Sequence, residues 1–171
     1  MAPVNAYRER LIHLVGGRDP LEVLGETAQA LAEIVAAHPA EVLHARPFEG
    51  KWTPAEIIGH LCDSEWVYGF RLRLILSEDN PPIAGTQQDA WVVGMRYRDR
   101  APAELAEEFR GLRELNLAQW RRLSAEQLRR CGQHSERGAE PLFEMLPMLA
   151  GHDLNHLDQI RRYIQAVQRG G

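Results

Sequence analysis

TPAEIIGHLCDSEWVYGFRLRLILS, residues 53–77, decides the fold. Thr53-Pro54-Ala55-Glu56 has the form of a helix start: a hydroxyl cap, proline at the first helical position, and glutamate three residues after the cap. Ile57, Leu61, Tyr68, Leu72 and Ile75 then recur at helical spacing, so the stretch reads as one long helix with an apolar side, ending near Ser77. A related start stands upstream at Asp19-Pro20-Leu21-Glu22. The stripe Leu21, Leu24, Ala28, Leu31 and Val35 follows it, and His38-Pro39 closes it.

Outward from these two helices the chain continues as helices separated by proline and glycine. A short helix is expected over Val4–Val15, stopped by Gly16-Gly17. A third long helix carries Leu105, Phe109, Leu112, Asn116, Gln119 and Leu123, and Ser124-Ala125-Glu126-Gln127 caps one extra turn. Residues 132–138 read as a polar loop. The last helix runs from about Pro141 to Val167, with Pro147 either kinking it or marking its start. Between Glu78 and Arg100 lie Asn80-Pro81-Pro82, Gly85 and Gly94, too long a stretch for a simple turn and so a crossover or a functional loop. The expected class is all-α: a four-helix bundle with a long crossover between its second and third helices, plus a short N-terminal helix, in one domain over residues 1–171.

Composition narrows the function. Twenty basic residues are scattered among 24 acidic ones for a net charge of −4, which leaves no broad cationic face and argues against a nucleic-acid partner. No segment approaches the ~20 apolar residues of a membrane span, and the first ten residues lack the apolar core of a signal peptide. The two cysteines, Cys62 and Cys131, suit a reducing compartment, so a cytoplasmic location is expected.

The histidines carry the sharpest signal. His152 and His156 are four apart on the last helix, which puts both rings on one face, one turn apart. Leu149, Ile160 and Tyr163 share that face, so it is the buried one. His60 shares a face with Ile57, Leu61 and Ser64. Three inward imidazoles on two facing helices suit a divalent ion, and equally suit three core histidines satisfied by hydrogen bonds. His13, His38, His44 and His134 have no comparable arrangement and read as surface or loop residues.

Gly50-Lys51-Trp52-Thr53-Pro54-Ala55-Glu56-Ile57-Ile58-Gly59-His60-Leu61-Cys62-Asp63-Ser64-Glu65, together with Ala150-Gly151-His152-Asp153-Leu154-Asn155-His156-Leu157-Asp158-Gln159-Ile160, resembles the DinB-like superfamily. Gln88-Asp89-Ala90-Trp91, Arg113-Glu114-Leu115-Asn116 and His134-Ser135-Glu136-Arg137-Gly138 add to the likeness. The resemblance implies one divalent ion, zinc or nickel, on His60, His152 and His156. It also implies a small-molecule substrate, with hydrolysis or transfer to a low-molecular-weight thiol as reactions, and often a homodimer. A non-catalytic module that uses the ion to pin its helices is the alternative.

Around this set, Asp63, Ser64 and Gln159 are candidates to orient the ligand rings. Asp89, in the crossover, is the candidate general base, with Trp91 walling off solvent. Asn116 either lines the site or pairs with a buried backbone group. Glu136 and Arg137 are expected to organise their loop, with Arg137 also able to hold an anion. Cys62 should face away.

Overall fold

A computed structural model describes residues 2–170, leaving Met1 and Gly171 outside; α1, Ala2–Val15, precedes the bundle. Asp19 caps α2, Pro20–Ala37, by accepting the Leu21 N–H at 2.9 Å, and a short α3, Ala40–His44, follows. At the head of α4, Pro54–Ser77, the Thr53 hydroxyl accepts the Glu56 N–H at 3.1 Å. The Glu56 carboxylate in turn accepts the Thr53 N–H at 2.7 Å, so the reciprocal cap read from the sequence forms. The remaining helices are α5, Gln88–Gly94, α6, Pro102–Trp120, α7, Ala125–Leu128, and α8, Leu142–Gly170. Pro147 lies inside α8, which starts at Leu142.

Helices α2, α4, α6 and α8 form the bundle, and their apolar faces build two core clusters. One contains Leu31, Ile57, Leu61, Phe109 and Ile160; the other contains Leu24, Leu72, Leu117, Leu142 and Leu149. Each fully buried aliphatic side chain of this kind contributes ~1.5–3 kcal/mol relative to exposure. Along α4 and α6 the chain passes from the first cluster to the second, and along α2 and α8 from the second to the first. Consecutive α4 and α6 therefore run parallel. The chain must return the length of the bundle between them, which is why residues 78–101 are long.

A polar layer separates the two clusters. Arg113 on α6 donates to Glu65 on α4 at 2.8 Å, to Asp153 on α8 at 2.6 Å and to the Leu24 carbonyl on α2 at 2.8 Å. All three charged side chains are buried. Asn116 donates to the Glu65 carbonyl at 2.8 Å and its carboxylate at 3.0 Å, so of its two expected roles it takes the pairing one. One layer thus fixes the rotation of four helices about their axes.

Two segments differ from the sequence reading. Residues 132–138, expected as a polar loop, belong to a hairpin: β2, Cys131–His134, pairs antiparallel with β3, Gly138–Pro141. The crossover adds β1, Pro82–Ile83, parallel to β2, and also holds α5 and a 3-10 turn at Tyr97–Asp99. These strands lack β-branched alternation. Tertiary placement, with Ile83 in the second core cluster, makes them strands.

Candidate metal centre

Gly59 and Gly151, each beside a ligand candidate, allow two close approaches. A Cβ on Gly59 would overlap the Tyr97 ring, and one on Gly151 would overlap the backbone of Leu11 on α1. Tyr97 and α1 thereby reach the flanks of the histidines.

His60, His152 and His156 are all buried and converge. The Nε2 atoms of His60 and His152 are 3.1 Å apart, as are those of His156 and His152. A divalent ion ~2.0–2.1 Å from each nitrogen, in tetrahedral geometry, would hold them ~3.3 Å apart. The measured spacing fits.

Tautomers sharpen the fit. His156 Nδ1 lies 2.8 Å from Gln159 Oε1, an acceptor, so Nδ1 carries the hydrogen and Nε2 keeps a lone pair. His152 Nδ1 stands 4.0 Å from Asp153 Oδ1, too far for a hydrogen bond, and neither atom has another partner. With a carboxylate behind it, His152 also favours hydrogen on Nδ1 and a lone pair on Nε2. Two lone pairs then face each other at 3.1 Å, an arrangement that a shared cation resolves. Burial, then the neighbouring histidines, push His60 down to about 2 and His156 down to about 3, so both rings are neutral and free to ligate at pH 7.

Among the ring-orienting candidates, Gln159 holds His156. Ser64 donates to the His60 carbonyl at 3.0 Å, a helix-backbone contact and no ring contact. Asp63 Oδ1 accepts the Tyr97 hydroxyl at 2.6 Å, while Oδ2 has no partner. Burial raises the Asp63 carboxyl above its ordinary value, partly offset by the Tyr97 bond. Cys62 donates to the Leu105 carbonyl at 3.3 Å and stands apart from the cluster.

A cavity of about 170 Å³ opens beside the histidines. His60, Asp63, Ser64 and His152 line one end, and Arg71, His134 and Arg137 the other, with Trp91 and Tyr68 in the wall. Asp89 is exposed in the first turn of α5 and is absent from this wall, whereas its neighbours Gln88 and Trp91 are part of it. His134, expected on the surface or in a loop, is buried in β2. Pairing of β2 between β1 and β3 turns its side chain inward, a cause the local sequence does not carry. Arg137 pairs with Glu140 through both carboxylate oxygens, which organises the hairpin as expected. Arg71 escaped the sequence reading, although its position eleven residues after His60, on the same helical face, was available.

A helical bundle with three inward histidines from two helices beside a polar cavity makes a bundle with a candidate metal site. The family model described as DinB superfamily matches residues 24–160, and the chain belongs to that superfamily. Two curated proteins of Oceanobacillus iheyensis, each bearing the name "Putative metal-dependent hydrolase", are similar. One is 27% identical over 139 residues, covering 81% of this chain and 75% of that protein. The other is 30% identical over 115 residues, covering 65% and 64%. The solved structure of YfiT from Bacillus subtilis, described as "a probable metal-dependent hydrolase with an unusual four-helix bundle topology", superposes with a TM-score of 0.79. It covers 84% of this chain and 83% of its own at 23% identity, a likeness of fold. Among the described residues no helix is long and apolar enough to cross a membrane.

Proposed function

We propose that this chain is a metal-dependent hydrolase of small molecules, holding one divalent ion on His60, His152 and His156. The observation that carries the reading is the facing of the His152 and His156 Nε2 atoms at 3.1 Å, with His60 completing the set. All-imidazole donors suit zinc and nickel. When bound, the ion supplies Lewis acidity to an electrophilic substrate group.

The chain's own residues do the rest. Gln159 fixes the His156 ring through Nδ1, and Asp153 stands behind His152. We place the general base on Asp63 rather than on the exposed Asp89. Asp63 lines the cavity, Tyr97 fixes one of its oxygens, and Oδ2, buried and without a partner, is the oxygen that would turn to the cavity to take a proton from the attacking nucleophile and return it to the leaving group. Trp91 and Tyr68 wall the cavity against bulk water. A low-molecular-weight thiol in place of water would make the same site a thiol transferase, as the family resemblance suggests.

The functional unit is taken as one domain over residues 1–171, working in the cytoplasm. The exposed Trp66, Phe70 and Leu115, side by side along α4 and α6, support a homodimer through that face. Sedimentation of the parent and of Trp66→Glu tests the dimer.

The functional test is elemental analysis of untagged protein, followed by a screen of ester, amide and thiol-transfer substrates with the metal-loaded protein. Near one ion per chain with turnover that disappears on chelation supports the reading. One ion with no turnover on any class turns it into a metal-stabilised binding module. No ion after zinc or nickel is added back removes it.

A further inference from the structure

At the end of the cavity away from the histidines, two hydrogen-bond donors meet with no acceptor between them. His134 Nδ1 lies 3.1 Å from the Glu136 backbone N–H, which can only donate. The nitrogen must therefore present its lone pair, and the neutral ring carries its hydrogen on Nε2. That Nε2–H lies 3.4 Å from Arg71 Nη2, itself a donor. The opposite tautomer only moves the conflict to Glu136. An acceptor that takes a hydrogen from both groups resolves it.

The charge balance points the same way. Arg71 is 5% exposed and His134 3% exposed, and both line the cavity, so what they leave unpaired faces that cavity. Arg137 on the same wall is matched by Glu140 and Arg8 by Glu144, but Arg71 forms no ion pair among the described residues. Its contacts are the Ala84 carbonyl at 2.8 Å, His134 and the face of Tyr68. Nη1 and Nε have no hydrogen-bond partner among the described residues. Glu136, the acid on that wall, is exposed and unpaired with it. The nearest buried acid, Glu140, is held by Arg137 through both oxygens, so the Arg71 guanidinium has no carboxylate bonded to it, and an incoming anion offsets its desolvation. Its planar fork accepts a carboxylate or a phosphate through two parallel bonds.

We infer that Arg71 and His134 form an anion subsite, which binds a carboxylate or phosphate group of the substrate while its reacting end lies at the three histidines. The inference rests on the proposed small-molecule site and adds the class of molecule it takes. Arg71 and His60 both lie on α4, eleven residues and about 16 Å apart along the helix axis. The Arg71 side chain folds back over Tyr68 and shortens that span, so the substrate carries its anionic group on a different part of the molecule from the bond that breaks. An ester or amide of an acid-bearing alcohol or amine, or a thiol carrying a distant carboxylate, meets that description.

The test titrates inorganic phosphate and, separately, succinate into the full-length protein, both as purified and after chelation, by calorimetry and by NMR of the histidine rings. One of the two anions is expected to bind the chelated protein and shift the His134 ring, and the tighter one identifies the anionic group. Arg71→Met should weaken that binding tenfold or more while keeping its circular dichroism, and Arg71→Lys should recover part of it. His152→Ala should leave it unchanged. If neither anion binds, or if the His134 ring does not respond, the subsite is overturned whatever the metal content. Equal affinity in a folded Arg71→Met overturns it too. Should Arg71→Met fail to fold, the His134 ring of the parent and Arg71→Lys still decide. If the parent protein takes up neither zinc nor nickel yet still binds the anion, the metal reading falls and this one stands.

Discussion

The Nε2 atoms of His60 and His152 stand 3.1 Å apart across a sequence separation of 92 residues. Only docking of α4 against α8 brings them together, so whatever binds between them also ties the two helices.

Metal should therefore be a stabiliser as well as a cofactor. At a free ion concentration a hundred times the dissociation constant, the gain is ~2.7 kcal/mol, or a rise in Tm of roughly 5–10 °C for a chain of this size. His60→Ala, His152→Ala and His156→Ala should each lose most of the ion and that rise, and Gln159→Ala should weaken binding about 10–100-fold. His134→Ala should retain the ion. Calorimetric scans with and without chelator, paired with elemental analysis, read both effects. A His156→Ala protein that binds metal as tightly as the parent removes the assignment.

Asp63 separates function from stability. Asp63→Asn should lower turnover by about 10²–10⁴, while Asp89→Asn stays within about twofold of the parent, an outcome expected for a side chain outside the cavity. Because burial raises the Asp63 carboxyl, the folded state binds its proton more readily than the unfolded chain does. Keeping it ionised then costs stability above the folded pKa, and the cost is relieved as pH falls through that value. Asp63→Asn should accordingly melt no lower than the parent at pH 7, with any advantage shrinking on acidification. Turnover lost in Asp89→Asn and kept in Asp63→Asn would reverse the two roles.

Arg113 holds two buried acids, so its removal is expected to be severe. Burial works against the guanidinium, and Asp153 and Glu65 outweigh it, which keeps it charged. Arg113→Met leaves both buried carboxylates without a counter-charge at a cost of ~3–5 kcal/mol, a fall in Tm of about 10 °C or more. Adding Glu65→Gln and Asp153→Asn should recover part of the loss. Denaturant titration measures it, and a cost below about 1 kcal/mol for the single change contradicts the role given to this layer.

Glu140 sets an acid-side dependence. Burial raises its carboxyl, but the bonds and charge of Arg137 outweigh that and hold it below the ordinary value of 4.5. A depressed folded pKa contributes stability that is present above about pH 4.5 and lost as pH falls through the folded value. Glu140→Gln should cost about 2 kcal/mol at pH 7 and flatten the decline of Tm below pH 4.5 relative to the parent. An unchanged acid limb in the variant would assign that decline to other groups.

Much of this molecule was legible in residues 53–77 and 141–167, because a helix writes its period and its caps into adjacent residues. Asp19, Thr53 with Glu56, and Ser124 with Gln127 all cap where the sequence placed them. The inward orientation of His60, His152 and His156 followed from a spacing of four and from apolar neighbours on the same face. The length of the crossover was legible too, and the parallel run of α4 and α6 gives its reason.

What the sequence could not carry depends on partners distant in the chain. Strands of two and four residues acquire their ladders only when the crossover meets the hairpin, so β1, β2 and β3 left no local pattern. The same pairing buries His134, and the same crossover leaves Asp89 exposed while Tyr97 reaches Asp63. Arg71 and Arg113 are alike in sequence, arginines on long helices. Packing bonded Arg113 to two buried acids and left Arg71 bonded to none, its neighbour Glu140 being taken by Arg137, because the charge balance of a buried side chain is set by whatever the fold brings against it.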